Sequence, residues 1–260
     1  MNIIKKITST LTDLKENHNV ISLKAEFAAE GSRLNEVLKL KDIATNVGLD
    51  LTIKIGGCKA IKDLYDARQL EASTIVAPMI ETAYAMKKYV ETTQLVFSKD
   101  ERKDLKILIN TETITGYSNL NNIISSEDFA QIDGIVLGRT DMTCSMGLTK
   151  EEVNSEPLLN IAKVISNNLM AINKEFVIGG GVSTDSIPFF KQIPYLNRFE
   201  TRKVIFDAQK ALTNANTNIG ILKAIDFELM WLKNKHEFFG TITKEDESRI
   251  QILESFCKSV

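Results

Sequence analysis

The stretch KILINTETITGYSNLNNIISSEDFAQIDGIVLGR, residues 106–139, decides the fold. It begins with KILINTE (106–112) and ends with GIVLGR (134–139), and each of these runs is apolar on both faces. Such strands are typical of parallel sheets that are covered by helices, and the stretch between the runs has the character of a crossover helix. The segment is therefore predicted to be a strand–helix–strand unit with parallel strands.

The same unit recurs on both sides of this segment. Helical stretches separate the further strand candidates, which are VISLKAEF (20–27), LTIKIGG (51–57), STIVAPM (73–79), FVIGGGV (176–182) and RFETRKVIF (198–206). Seven strands that alternate with helices favour an α/β fold, either a (β/α)8 TIM barrel or a doubly wound sheet. We predict the barrel, since 260 residues is close to its typical length of about 250. An eighth strand would come from QLVFS (94–98) or from the extreme N-terminus.

The chain shows no sign of a second domain. It contains only four Pro and no Gly-rich linker, so residues 1–260 are predicted to form a single TIM-barrel domain. Residues 207–260 are predicted to form a helical C-terminal extension of two or three helices. Because this extension is more apolar than one barrel requires, we expect it to pack on the barrel or on a neighbouring subunit of a homo-oligomer.

Charge and composition exclude several classes of protein. The chain carries 32 Lys and Arg against 34 Asp and Glu, for a formal net charge of −2. Nucleic-acid and membrane-surface binding are not expected without a basic excess. No apolar stretch near the start is long enough for a signal peptide or a membrane span, so we expect a cytoplasmic protein. Because there are only two His and no Cys pair at CxxC spacing, the chemistry is expected to use carboxylates, Lys and Arg.

Several predicted strands end in polar residues, and the active sites of barrels form at these ends. Glu112 and Asp141 follow neighbouring strands. Two carboxylates with little His or Cys available suit a hard divalent cation such as Mg²⁺ or Mn²⁺. Lys54, between Ile53 and Ile55, points to the side opposite both and is the candidate to neutralise charge that develops on a substrate.

These segments resemble a known family. ILINTETITGYSNLNNI (107–123) and IDGIVLGRTDMTCSMGL (132–148) are similar to the signature region of the HpcH/HpaI aldolase and citrate lyase β-subunit family, part of the phosphoenolpyruvate/pyruvate barrel superfamily. The resemblance implies a TIM barrel with a divalent metal held by Glu112 and by Asp141. It also implies cleavage or formation of a carbon–carbon bond through a pyruvate-like enolate of a 2-oxo acid.

The chain departs from the family pattern at two places. Family aldolases carry Asp-x-Glu-His at the end of an early strand, with the His as general base, whereas this chain has Lys24-Ala25-Glu26-Phe27. Lys54 stands where the family uses an Arg to bind substrate, and Lys lacks the bidentate fork of Arg. The base is therefore expected to be replaced, with Glu26, Glu30 or Arg202 as candidates, or the reaction is not the standard aldol cleavage.

We accordingly predict the following roles. Lys54 would stabilise the oxyanion, and Glu26 would act as an acid/base or water-orienting residue. A small carboxylate or phosphorylated substrate would be bound by Arg139, Arg202, Gly180 and Gly181; the glycines belong to GGGVSTDS (179–186), which resembles a phosphate-binding turn. Two alternatives stay open: a Schiff-base aldolase that uses Lys54, and a barrel that binds a ligand without catalysis.

Overall fold

Eight β-strands close into a barrel in chain order. The computed structural model describes the backbone of residues 3–257 and the side chains of residues 3–238, 240, 247, 250 and 251. The strands are β1 (Val20–Glu26), β2 (Asp50–Lys54), β3 (Thr74–Ala77), β4 (Lys106–Thr111), β5 (Gly134–Gly138), β6 (Glu175–Gly179), β7 (Arg198–Glu200) and β8 (Val204–Asp207). The predicted α/β barrel is confirmed.

The eighth strand does not come from either predicted source. Residues 94–98 include the end of a helix, and the described part of the N-terminus is helical. Instead, the run RFETRKVIF splits into β7 and β8, and the amide of Thr201 donates to the carbonyl of Val204 across the turn (2.9 Å). The strands β1 to β7 pair with one another in parallel. Strand β8 closes the barrel between β7 and β1 and is antiparallel to both. The prediction of one strand here was wrong because the polar residues 201–203 form a turn.

Helices connect most strands and cover the outside of the barrel. They are α1 (Ile3–His18), α2 (Leu34–Val47), α3 (Ile61–Gln69), α4 (Ala83–Val96), α5 (Ile114–Ser118), α6 (Leu120–Ile124), α7 (Arg139–Ser145), α8 (Glu156–Ala171), α9 (Ile187–Phe190), α10 (Ala208–Ala211) and α11 (Thr217–Cys257). Local capping sets several of their ends. The Thr82 hydroxyl accepts from the amide of Ala85 at the start of α4 (3.1 Å), and Gly48 ends α2 with a φ of 71°, which favours glycine.

The interior of the barrel differs from the core outside it. The large apolar core includes the outward side chains of the strands, among them Ile53 and Ile109, together with the inner faces of the helices. Alternation along a strand places every second side chain inside the barrel. A separate cluster of four apolar side chains lies there, formed by Val76, Leu108, Val136 and Val177. All four belong to β3–β6. The side chains that face inward at the ends of β1, β2 and β7 are polar instead.

The described part of the C-terminal region has two helices, which is within the two or three that we predicted, but their lengths differ greatly. After the four-residue α10, α11 runs for 41 residues, about 60 Å at 1.5 Å per residue. It packs against α1, and its buried side chains include Ile221, Ala224 and Phe227. Residues 258–260 of the predicted extension lie outside the described residues. Exposed apolar side chains remain on α11, among them Ile219, Leu222, Leu229 and Leu232, and the homo-oligomer stays a prediction. None of the helices within residues 3–257 is long and apolar enough to cross a membrane.

Candidate active site

A polar cavity of about 360 Å³ opens at the carboxyl ends of the parallel strands. This is the end at which barrels carry their chemistry. Five carboxylates and three cationic side chains line it, together with Asn110, Thr140, Thr201 and glycines of β5, β6 and the following turn. The charged residues are Glu26, Glu112, Asp141, Glu200, Glu228, Lys24, Lys54 and Arg202. When all are ionised, the lining therefore has an excess of two negative charges.

Lys54 lies between two carboxylates. Glu26 and Lys54 are register partners at the ends of β1 and β2, so their side chains project to the same side of the barrel wall. The Lys54 Nζ atom lies 3.4 Å from Glu26 Oε1 and 3.2 Å from Glu112 Oε2. All three side chains are largely shielded from solvent. The sequence-predicted residues Lys54, Glu26 and Glu112 are thus brought into contact.

Glu112 is fixed from three directions. Its Oε2 accepts from Asn110 Nδ2 at 2.7 Å as well as from Lys54, and its Oε1 accepts from the amide of Met79 at 3.0 Å. A Cβ atom at position 138 would stand 2.5 Å from Glu112 Oε2, so Gly138 leaves the room that this carboxylate needs. A carboxylate offers about four acceptor positions, and one of them remains for a further ligand.

Asp141 is exposed to the cavity in the first turn of α7. Partial burial raises the pKa of Asp141, and the neighbouring charge of Glu112 raises it further, against the opposing effect of Lys54. Burial and a nearby like charge both disfavour the charged form of a carboxylate. Within the part of the chain that the structure describes, nothing donates a hydrogen bond to this carboxylate or pairs with it. Glu112 and Asp141 therefore share one cavity, and their negative charge is only partly neutralised.

A divalent cation fits this donor set in chemistry and charge. Both donors are carboxylate oxygens, the ligands that Mg²⁺ and Mn²⁺ prefer, and a divalent cation would balance the two excess negative charges. No group of three or more His, Cys, Asp or Glu side chains within the described residues is arranged to hold a metal. Two carboxylates, with water and substrate completing the coordination, would still suffice for Mg²⁺, which keeps several waters.

A second ion pair also lines the cavity. Lys24, at the end of β1, is hydrogen-bonded to Glu200 at the end of β7. Burial would lower the pKa of Lys24, but the charge and hydrogen bond of Glu200 outweigh it and the pKa lies above its ordinary value. Gly179 leaves room for Glu200, since a Cβ there would stand 2.8 Å from its Oε1. Both residues were visible as polar strand ends, but nothing local in the sequence predicts that they pair.

Arg139 does not line the cavity. Its fully buried guanidinium donates to Gly180 O (3.1 Å), Val153 O (3.2 Å), Asn154 Oδ1 (2.6 Å) and Ser186 Oγ (3.1 Å). It also stacks against Phe189 and Phe190. Burial lowers the pKa of Arg139 to about 9, so the group stays protonated at neutral pH. The structure therefore uses Arg139 to join the loops after β5 and β6, not to present a cation to a substrate.

Replacing Arg139 by Lys should test this structural role. Lys keeps the charge but cannot supply the planar fork, so buried acceptors lose their donors. We expect a loss of about 1–3 kcal/mol in the free energy of unfolding, measured by urea denaturation. The matched control is Arg68→Lys, because Arg68 makes an exposed ion pair with Glu101, and exposed ion pairs contribute little to stability. Equal stabilities of the two variants would contradict the assignment.

The remaining predicted substrate ligands do reach the cavity. Arg202 lies at its rim, half-exposed, and its Nε donates to Glu30 Oε1 at 3.1 Å. Gly180 and Gly181 line the cavity with φ values of 81° and 60°. A Cβ at Gly180 would stand 2.7 Å from the amide nitrogen of Thr140, so this tight approach of the two loops requires glycine.

The family's His position is filled by Phe27, which packs partly buried against the apolar core. No imidazole is found among the described residues that line the cavity. Of the three candidates for a replacement base, Glu30 lies outside the cavity lining and pairs with Arg202 and Lys203. The cavity gains instead Glu228 from α11. Sequence analysis missed this residue because it follows no strand and sits on a helix about 85 residues beyond Asp141.

Comparisons with known proteins agree with the fold. The sequence profile of the HpcH/HpaI aldolase/citrate lyase family matches residues 36–178, more than half of the chain. No curated protein sequence matches the chain. Among solved structures, an HpcH/HpaI aldolase from Desulfitobacterium hafniense DCB-2 is 9% identical with a TM-score of 0.60, covering 75% of this chain and 82% of that one.

Two further structures are similar. An HpcH/HpaI aldolase/citrate lyase family protein from Burkholderia cenocepacia J2315 is 10% identical with a TM-score of 0.59, covering 76% of this chain and 83% of that one. The citrate synthase SbnG is 14% identical with a TM-score of 0.58, covering 90% of each chain. At these identities the likeness establishes the barrel fold alone.

Proposed function

The chain belongs to the HpcH/HpaI aldolase/citrate lyase family, and from that membership we propose that it is a divalent-metal-dependent carbon–carbon lyase. Membership supports a lyase of this type. The proposed substrate is a 2-oxo acid or a related carboxylate that reacts through a pyruvate-like enolate. The proposed cofactor is Mg²⁺ or Mn²⁺, held by Glu112 and Asp141.

One observation carries the proposal. Glu112 and Asp141 share a cavity whose lining has an excess of two negative charges, and Asp141 has a raised pKa with no cation paired to it. A bound divalent cation would polarise the oxygens of a 2-oxo acid and stabilise the enolate. The protein would contribute the two ligands, of which Glu112 is fixed by three hydrogen bonds, and the polar walls around them.

Lys54 is proposed to stabilise the developing oxyanion. An ammonium group has three N–H donors. Glu26 and Glu112 lie within ion-pair distance of two of them, which leaves one donor for an oxygen of the substrate. A donor held in place before the reaction stabilises developing charge without the cost of reorienting it. Glu26 would hold Lys54 in this position and orient a water or exchange a proton.

The rim of the cavity is proposed to bind the rest of the substrate. Arg202 is half-exposed there and can turn its guanidinium toward a carboxylate or a phosphate. Gly180 and Gly181 line the same cavity. These groups support a small anionic substrate, either a carboxylate or a phosphorylated compound.

The ion pairs weigh against the Schiff-base alternative. Imine formation needs an amine that is free to attack the substrate carbonyl, whereas the Lys54 Nζ atom is held in ion pairs with Glu26 and Glu112. The same argument applies to Lys24, which pairs with Glu200. Electrostatic stabilisation by Lys54 is therefore the better-supported role.

Enolisation of pyruvate provides the test. The protein with Mg²⁺ is expected to catalyse exchange of the pyruvate methyl protons in D₂O, followed by NMR, and EDTA should stop the exchange. Sodium borohydride should trap no pyruvate adduct. Exchange that survives EDTA together with a trapped adduct would replace the metal mechanism by the imine one. Absence of both exchange and Mg²⁺ binding by calorimetry would instead favour a non-catalytic barrel.

A further inference from the structure

Helix α11 contributes to the cavity from outside the barrel. It packs against α1 on one side and contacts the turn Thr184–Ser186 at the mouth of the barrel. Phe227 and Trp231 are buried and anchor this part of the helix. Ile225 and Glu228, three residues apart and hence on one face, line the cavity. The Glu228 carboxyl group is therefore placed at the site by a well-packed element.

Glu228 and Asp141 are the two carboxylates of the cavity that have no partner among the described residues. Glu26 and Glu200 pair with lysines, and Glu112 accepts three hydrogen bonds. Asp141 is assigned to the metal in the proposed function. No residue that the structure describes forms a hydrogen bond or an ion pair with the half-buried Glu228 side chain. Of the five carboxylates, Glu228 is thus the one that neither pairs with a described residue nor is assigned to the metal.

The surroundings of Glu228 suit that task. Burial raises the pKa of Glu228, the nearby Glu30 also raises it, and Arg202 and Lys203 act in the opposite direction. Both of these cations are themselves paired with Glu30, which reduces their effect. Farther along α11, Lys235 is paired with Glu36. A carboxyl group whose pKa is raised toward neutrality is a stronger base and can also act as an acid.

We propose that Glu228 is the general acid–base residue of this enzyme, in the role that the strand-end His has in the family pattern. The inference rests on the proposed function. The Glu228 carboxylate takes a proton from the carbon next to the substrate carbonyl. The electron pair of that C–H bond forms the C=C bond, and the carbonyl π electrons move to oxygen to give the enolate. In the reverse direction the Glu228 carboxyl group returns the proton to the same carbon.

The inference is tested by the rate at which the methyl protons of pyruvate are replaced by deuterium in D₂O with Mg²⁺ present. This rate measures the proposed proton transfer directly, and the assay needs no acceptor substrate. Glu228→Gln is expected to lower the exchange rate by about 10²-fold or more, the usual contribution of general acid–base catalysis, with little change in the pyruvate concentration that gives half-maximal rate. Glu228→Asp should retain part of the rate. Asp226→Asn is the matched control, since Asp226 is exposed on the same helix and does not line the cavity.

The pH profile separates a catalytic from a structural role. The base must be deprotonated, so the wild-type rate should fall as the pH is lowered through the raised pKa of Glu228. Glu228→Asp should keep such an acidic limb, and Glu228→Gln should lose it. Suppose that the wild-type protein catalyses exchange. If the Glu228→Gln variant then has a rate within about threefold of the wild-type rate, or keeps the same acidic limb, the inference is overturned and the proposed function stands. Lack of exchange by the wild-type protein would overturn the proposed function, and the inference with it.

Discussion

Asp141→Asn is expected to abolish Mg²⁺ binding in calorimetry and to lower the rate of pyruvate proton exchange by about three orders of magnitude. Removal of one of the two proposed carboxylate ligands would take away half of the protein's charge at the proposed metal, and stabilisation of an enolate by a metal is worth several kcal/mol. The matched control is Glu151→Gln, because Glu151 is an exposed carboxylate in the loop that follows α7. It should bind Mg²⁺ as the wild-type protein does.

The stability of the two ligand variants should differ. The raised pKa of Asp141 shows that the folded protein disfavours its charged form, so Asp141→Asn should unfold at the same temperature as the wild-type protein or at a higher one. Glu112→Gln should also lose the metal, but it removes the buried partner of Lys54 and should be less stable. Retention of Mg²⁺ affinity by both variants would rule out this pair as the metal site.

Lys54→Met is expected to be the most destabilising substitution in the cavity. It leaves Glu26 and Glu112 side by side without their shared cation, and breaking a buried ion pair from one side typically costs about 3–5 kcal/mol. Urea denaturation measures the loss. Exchange activity should fall as well, since the proposed donor to the oxyanion is gone.

Two comparisons identify the cause of that loss. The double variant Lys54→Met with Glu26→Gln should recover part of the stability, because the two side chains interact and their effects are not additive. The control Lys103→Met removes a cation from an exposed pair with Asp100 and should change stability by less than about 1 kcal/mol. If Lys54→Met were as stable as this control, the ion pairs around Lys54 would not contribute to the fold.

The strands were predictable because burial on both faces leaves a local signature. The runs 106–112 and 134–139 contain β4 and β5 with errors of one residue at one end. The run 198–206 was misassigned, since both halves of a short hairpin have the same apolar pattern and only the polar residues 201–203 mark the turn. The antiparallel direction of β8 followed from that turn and was missed with it.

The site was predictable to the extent that strand ends converge. Lys54, Glu26, Glu112 and Asp141 line one cavity, as expected of residues at one end of a barrel. Arg139 directly follows Gly138 at such an end, yet its side chain lies outside the cavity among backbone carbonyls. Position at a strand end does not specify where a long side chain points, because that depends on acceptors supplied by other loops.

The sequence by itself determined the alternation of strands and helices, the barrel and the residue types available for chemistry, because hydrophobic period and turn residues act over a few positions. The tertiary structure alone decided which of those charges are neutralised. Lys54 and Glu112 are 58 positions apart and Lys24 and Glu200 are 176 apart, so no local pattern can predict their pairing. The unpaired state of Asp141 and Glu228 is equally a product of the closed barrel and of α11, since electrostatic energy depends on distance in space and on burial.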